Sequence, residues 1–197
     1  MTKHVEFLFD VGSPYSYLAF KQLPKVAKAK GAEIIWTPVL LGGIFQATGN
    51  HSPIEVPEKG HYSMIDLQRW ADEYGVSITM NPNFPINTLT LMRGAVAMQL
   101  KGSQAFNRYL EVVFDAMFGK PRNMNLPSEV GAVLQEAGLD AGEFMSLVSD
   151  SVVKERLKAN TEDAVKRGVF GAPTFFVGDE MFWGQDRLLF IEKALTS

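Results

Sequence analysis

The spacing of apolar residues changes character along the chain. Residues 5–10, Val-Glu-Phe-Leu-Phe-Asp, form a short run rich in aromatic and β-branched side chains, which predicts a buried strand. Val11-Gly12-Ser13-Pro14 breaks it. Beyond Pro14 the apolar residues Tyr17, Leu18, Phe20, Leu23, Val26 and Ala27 recur at intervals of three and four, which predicts a helix ending near Gly31. A serine followed by proline at the first helical position is a start signal. Residues 33–39, with Ile34, Ile35 and Trp36, return to strand character.

Residues 41–58 carry Gly42-Gly43, Gly49-Asn50, Pro53 and Pro57 and read as a loop-rich stretch, the kind of segment that often carries function. From Lys59 the helical spacing persists, with helices predicted at 59–74, 87–101, 103–118, 127–138, 140–148 and 150–167. Residues 174–177 and 181–183 then flank Gly178-Asp179-Glu180 as a hairpin, and residues 186–195 close as an amphipathic helix. The order β-α-β, helices, β-β-α is that of a thioredoxin-like sheet with helices inserted. The expectation is an α/β fold, with a thioredoxin-like domain made of residues 1–40 and 168–197 and an inserted helical domain at 41–167.

Composition narrows the chemistry. The 197 residues include no cysteine, which excludes a disulfide framework, a thiolate metal site and a cysteine nucleophile. Any thiol chemistry needs a thiol from outside. Nineteen basic against 22 acidic residues leave a net charge of −3, which argues against a nucleic-acid binder. No apolar run approaches the roughly 20 residues of a membrane span, and the start lacks the apolar core of a secretory signal. A cytoplasmic protein with no membrane association is expected. The three histidines, His4, His51 and His61, lack metal-ligand spacing, so no metal is expected. His51 and His61 lie near the loop-rich stretch and are candidates for proton transfer. Nucleotide-binding glycine motifs are missing, and Ser13 lacks the Gly-x-Ser-x-Gly elbow of an α/β-hydrolase.

Two segments point to a site. Ser13-Pro14-Tyr15-Ser16 lies between a strand and a helix, where thioredoxin-like proteins carry Cys-x-x-Cys. A helix start presents unpaired N–H groups and a partial positive charge, which favour an anion, a thiolate included. Ser13 can add a hydroxyl donor, or can serve only as an N-cap. Gly171-Ala172-Pro173-Thr174 holds the place of the thioredoxin cis-proline, where the Ala172 backbone would dock an extended peptide. Read locally, Pro173 is a proline that opens a strand. The Ala172–Pro173 bond is expected to be cis.

The segment from Phe9 to Ala19, Phe-Asp-Val-Gly-Ser-Pro-Tyr-Ser-Tyr-Leu-Ala, resembles the N-terminal signature of the 2-hydroxychromene-2-carboxylate isomerases. These group with the kappa-class glutathione transferases in the DsbA-like branch of the thioredoxin fold. Asn83-Phe-Pro-Ile-Asn-Thr-Leu89 with Arg93, the run from Gly168 to Val177, and Phe182-Trp-Gly-Gln-Asp-Arg-Leu188 extend the resemblance over most of the chain. It implies glutathione as cofactor, with Ser13 as the catalytic residue at its sulfur. It also implies Ala172 and Pro173 as the backbone dock, and Gln185 and Asp186 at the γ-glutamyl end. Asn50 and Lys59 would reach the tripeptide from the helical side. Gln185 stands where kappa enzymes typically have serine. Read locally, Asp186 could be a helix N-cap, Lys59 a solvated cation and Asn50 a turn residue.

The implied reaction interconverts 2-hydroxychromene-2-carboxylate and trans-o-hydroxybenzylidenepyruvate, in aromatic catabolism, by reversible thiolate addition to the alkene. The partners implied are a small aromatic substrate and a second copy of the chain in a homodimer. Phe45, Met64, Trp70, Phe84 and Met92 are either the lining of an aromatic pocket or core. The alternatives are a kappa-like transferase, which would consume glutathione, and a non-catalytic glutathione-binding protein.

Overall fold

Strand β1 (Lys3–Phe9), helix α1 (Pro14–Lys30) and strand β2 (Ala32–Pro38) open the chain of the computed structural model, which describes residues 3–196. Helices α2 (Leu41–Thr48), α3 (Pro57–Tyr74), α4 (Leu89–Lys101), α5 (Ser103–Phe114), α6 (Pro127–Glu136), α7 (Ala141–Ser149) and α8 (Ser151–Lys166) follow. Strands β3 (Thr174–Val177) and β4 (Glu180–Trp183) and helix α9 (Leu188–Ala194) complete the fold. The sheet order is β2-β1-β3-β4, with β1 parallel to β2 and antiparallel to β3. This is the expected α/β thioredoxin-like arrangement. No helix among the described residues is long and apolar enough to cross a membrane.

Alternation along β1 divides the interior into two clusters, because successive strand side chains face opposite sides. Val5, Phe7 and Phe9 enter the larger cluster with Leu18 and Leu23 of α1 and Phe106 and Phe114 of α5. Leu8 faces the other way and meets Phe176, Ile44 of α2 and Ala164 of α8. Phe7 and Phe175 stack across the paired strands at 5.1 Å. Burying such rings contributes about 1.5–3 kcal/mol each in transfer free energy.

The expected loop at residues 41–58 is instead largely helical. Leu41–Thr48 is α2, Pro53–Glu55 makes a 3-10 turn, and α3 already begins at Pro57. Of the glycine pair that suggested a break, Gly43 has a packing reason, for a Cβ there would lie 3.3 Å from Thr161 Cγ2 on α8, whereas one on Gly42 would meet open space. Small residues let these two helices approach. A second departure lies at residues 115–119, predicted as the end of one helix. There α5 gives way to a π-type turn, in which Lys120 N–H reaches back to the Asp115 carbonyl at 2.7 Å.

Candidate active site around Ser13 and the Ala172–Pro173 bond

Ser13 lies between the end of β1 and the first turn of α1, in extended conformation (φ −91°, ψ 117°). It is the N-cap. Its Oγ accepts from the Ser16 N–H at 3.1 Å and donates to the Ala172 carbonyl at 3.0 Å. Ser13 thus caps the helix and also touches the segment expected to dock a ligand. The Ala172–Pro173 bond is cis, as expected. The first turn of α1 holds no acidic residue to oppose an anion at the helix start. Ser16 is fully buried, and its hydroxyl has no hydrogen-bond partner among the described residues.

The Pro173 carbonyl accepts from the Gly184 N–H at 3.0 Å, which joins the C-terminal corner to this bond. Gly184 has φ 102°, and a Cβ there would come within 2.5 Å of Asp186 Oδ1. The corner thus folds Asp186 back over Gly184. Asp186 is not the N-cap of α9. It lies inside a 3-10 turn (Gln185–Arg187), and Arg187 is the residue that precedes the helix. Its Oδ2 pairs with Arg187 at 2.6 Å. Gln185 is buried, and its backbone carbonyl accepts from the Tyr74 hydroxyl at 2.9 Å. Burial, helped by Asp186, pushes that hydroxyl up to about 12.

Asn50 reaches the same corner. Its Nδ2 donates to the Phe170 carbonyl at 2.8 Å, two residues before Ala172, while its Oδ1 accepts from the His51 N–H. Phe170 in turn packs on Trp183 with ring centroids 4.9 Å apart, and both rings are partly exposed. Lys59 is exposed in the first turn of α3 and makes no ion pair among the described residues. His51 and His61 are exposed; His51 faces Glu55 at 3.6 Å. Of the apolar candidates, Met92 is wholly core, while Phe45, Met64, Trp70 and Phe84 are half-buried. Tyr15, inside the Ser-Pro-Tyr-Ser motif, reaches the Ser63 carbonyl (3.3 Å) and Asp66 (3.4 Å) on α3.

Sequence reasoning passed over Asp10, Thr88, Tyr74 and Arg187. Asp10 is 1% exposed and carries three hydrogen bonds. Burial raises its carboxyl above the ordinary carboxylate range, while bonds from Gly12, Leu41 and Thr88 pull the other way. A separate cavity of about 810 Å³ lies among α1, α5, α6 and the turn after α5, lined by Lys21, Arg108, Lys120 and Arg122 among others. None of the residues around Ser13 lines it, and its Arg122 is already paired with Glu129 and Glu136.

Comparison with known proteins places the chain in a family. Residues 4–196 match the family described as DSBA-like thioredoxin domain. The chain is 35% identical to 2-hydroxychromene-2-carboxylate isomerase from Pseudomonas putida, over 97% of this chain and 93% of the relative. A solved 2-hydroxychromene-2-carboxylate isomerase structure superposes with a TM-score of 0.85 at 35% identity, covering 98% of this chain and 94% of that one. Human glutathione S-transferase kappa 1 is more distant, at 26% identity over 99% of this chain and 92% of its own. The chain belongs to the DsbA-like thioredoxin family, in the branch of the 2-hydroxychromene-2-carboxylate isomerases.

Proposed function

We infer that the protein is a 2-hydroxychromene-2-carboxylate isomerase whose cofactor is glutathione, held with its sulfur beside Ser13. The observation that carries this is the 3.0 Å bond from Ser13 Oγ to the Ala172 carbonyl, at the start of a helix with no acid in its first turn. These two groups fit a cysteinyl unit. The Ala172 carbonyl accepts an amide N–H of an extended peptide as readily as it accepts the Ser13 hydroxyl. Ser13 is then free to donate to a sulfur anion, which the α1 N–H groups also favour. Asp186 offers a carboxylate to the α-ammonium, and its partner Arg187 offers a cation to the adjoining carboxylate. Asn50 and Lys59 complete the cofactor set, with Asn50 holding the Phe170 carbonyl beside the dock.

When bound, glutathione supplies a thiolate that adds reversibly to the substrate's conjugated alkene, so that the bond can rotate. The chain's own task is to hold that sulfur ionised and placed. Ser13→Ala removes the hydroxyl donor inferred to face it. Loss of a donor at a developing or stored anion typically lowers kcat by roughly 10²–10³. The test is a chromene-carboxylate absorbance assay with free glutathione measured alongside. The expected result is turnover that needs glutathione and does not consume it, with Ser13→Ala losing kcat far more than glutathione affinity. Net loss of glutathione would instead indicate conjugation of the kappa kind. Full turnover without glutathione, or an unimpaired Ser13→Ala enzyme, would overturn the assignment.

A further inference from the structure

The Asp10 carboxylate is buried and has no part in the chemistry just described. Its three bonds run to three different segments. Oδ1 accepts from the Gly12 N–H at 2.8 Å, and Oδ2 accepts from the Leu41 N–H at 2.8 Å and the Thr88 hydroxyl at 3.0 Å. Leu41 is the first residue of α2, whose N-cap is Leu40 and has no capping side chain. Thr88 is the N-cap of α4, yet its hydroxyl does not cap its own helix. One carboxylate therefore ties the starts of two helices to the turn that leads into a third.

Each N–H of that turn, from Val11 to Ser13, is hydrogen-bonded. The Val11 N–H goes to Met92 Sδ on α4 at 3.3 Å, the Gly12 N–H to Asp10 Oδ1, and the Ser13 N–H to the Asp10 carbonyl at 3.0 Å. A Cβ on Gly12 would lie 2.7 Å from Thr88 Cγ2, so the turn is pressed against α4. Ser13 follows directly, and its Oγ has to meet both Ser16 N–H and whatever lies at Ala172.

We propose that Asp10 is a positioning residue for the isomerase reaction: through Gly12, Leu41 and Thr88 its carboxylate sets the Gly12–Ser13 turn, and with it the Ser13 hydroxyl and the start of α1. This rests on the reading of Ser13 as the residue at the sulfur. The donor pattern makes it testable at constant volume. Two of the donors are backbone N–H groups on different oxygens, and neither can turn into an acceptor. Asp10→Asn offers only one acceptor oxygen, so one N–H must face an amide NH₂. Thr88→Val removes the third donor while keeping shape and the Asp10 charge, and Thr88→Ser keeps the hydroxyl.

Four proteins decide the matter: wild type, Asp10→Asn, Thr88→Val and Thr88→Ser. Each is assayed for isomerase kcat and KM, for glutathione affinity by calorimetry, and for amide hydrogen exchange at Ser16, whose N–H bonds Ser13 Oγ. Misplacement by about 1 Å costs up to roughly 10²-fold in rate. The expected result is therefore a kcat about 10–100-fold lower in Asp10→Asn and several-fold lower in Thr88→Val, mostly recovered in Thr88→Ser. KM and glutathione affinity change far less. Ser16 exchanges faster in the two impaired variants, while Phe7 in β1 does not. A purely structural Asp10 would lower the melting temperature and leave kcat of the folded protein alone. Folded variants with kcat within about twofold of wild type, or with Ser16 exchange unchanged, would overturn the proposal. If Asp10→Asn does not fold, Thr88→Val decides by the same measures. If the wild type itself shows no glutathione-dependent turnover, the functional reading fails separately, and Ser16 exchange still decides what Asp10 does.

Discussion

Tyr15 lies in the first turn of α1 and Tyr74 at the end of α3, where its hydroxyl donates to the Gln185 carbonyl. Burial pushes both hydroxyls up to about 12, with Asp66 adding to the effect at Tyr15 and Asp186 at Tyr74. The folded protein therefore keeps these protons between about pH 10 and 12, whereas the unfolded chain loses them near 10. Stability must fall as pH rises through that window. A Tyr15→Phe, Tyr74→Phe protein is expected to lose less stability there in urea titrations. At neutral pH it gives up roughly 1 kcal/mol for each hydrogen bond removed. Asp10 follows the same sign in a lower range. Its carboxyl is raised in the fold, so its contribution declines as pH climbs above the ordinary carboxylate value of 3.8, and Asp10→Asn removes that part of the slope. Ser13 was legible in the sequence because a serine and proline at a strand–helix junction have a local meaning. Asp10 was not, because its partners Leu41 and Thr88 are 31 and 78 residues away and only the fold brings them to it.

Among the elements, the corner between β4 and α9 depends most on a single backbone conformation. Gly184 combines φ 102° with the close approach of Asp186 Oδ1, so any side chain is strained twice. Gly184→Ala is expected to cost on the order of 1–3 kcal/mol. By displacing Asp186 it should also separate the Asp186–Arg187 pair and weaken glutathione binding, which calorimetry beside a melting curve would show. Binding equal to wild type would remove Asp186 from the cofactor set. Long periodic helices such as α8 were legible because their apolar spacing repeats over several turns. The helix α2 was hidden, since Gly42 and Gly43 carry a local meaning of breakage. The use of Gly43 here, a close passage by α8, is a property of packing that neighbouring residues do not encode.

For the whole molecule, the order of elements along the chain was legible and implied a sheet domain interrupted by a helical one. The core does not respect that division. Phe9 on β1 packs against Phe106 and Phe114 of α5 at 6.5 and 6.1 Å, and Trp36 on β2 meets Phe106 at 6.1 Å. One cluster runs from the sheet into α4, α5 and α6. We therefore expect a single cooperative unfolding transition, with tryptophan fluorescence and far-ultraviolet circular dichroism superimposing in denaturant. Two separated midpoints would show that sheet and helices fold as distinct units. The rings that fuse them come from residues about 70 to 105 apart in sequence, a distance over which no spacing rule operates.

The helix start at Ser13 lies in a chain with no sulfhydryl of its own. Its electrostatic strength can therefore be read by ordinary thiol labelling. Ser13→Cys would place the sole thiol of the protein at the same helix start, beside the point where the cofactor's sulfur is inferred to sit. Its alkylation rate against pH would follow one ionisation, free of background. A midpoint below the ordinary thiol value of about 8.5 would measure how strongly the fold favours a sulfur anion there, with neither substrate nor cofactor in the tube.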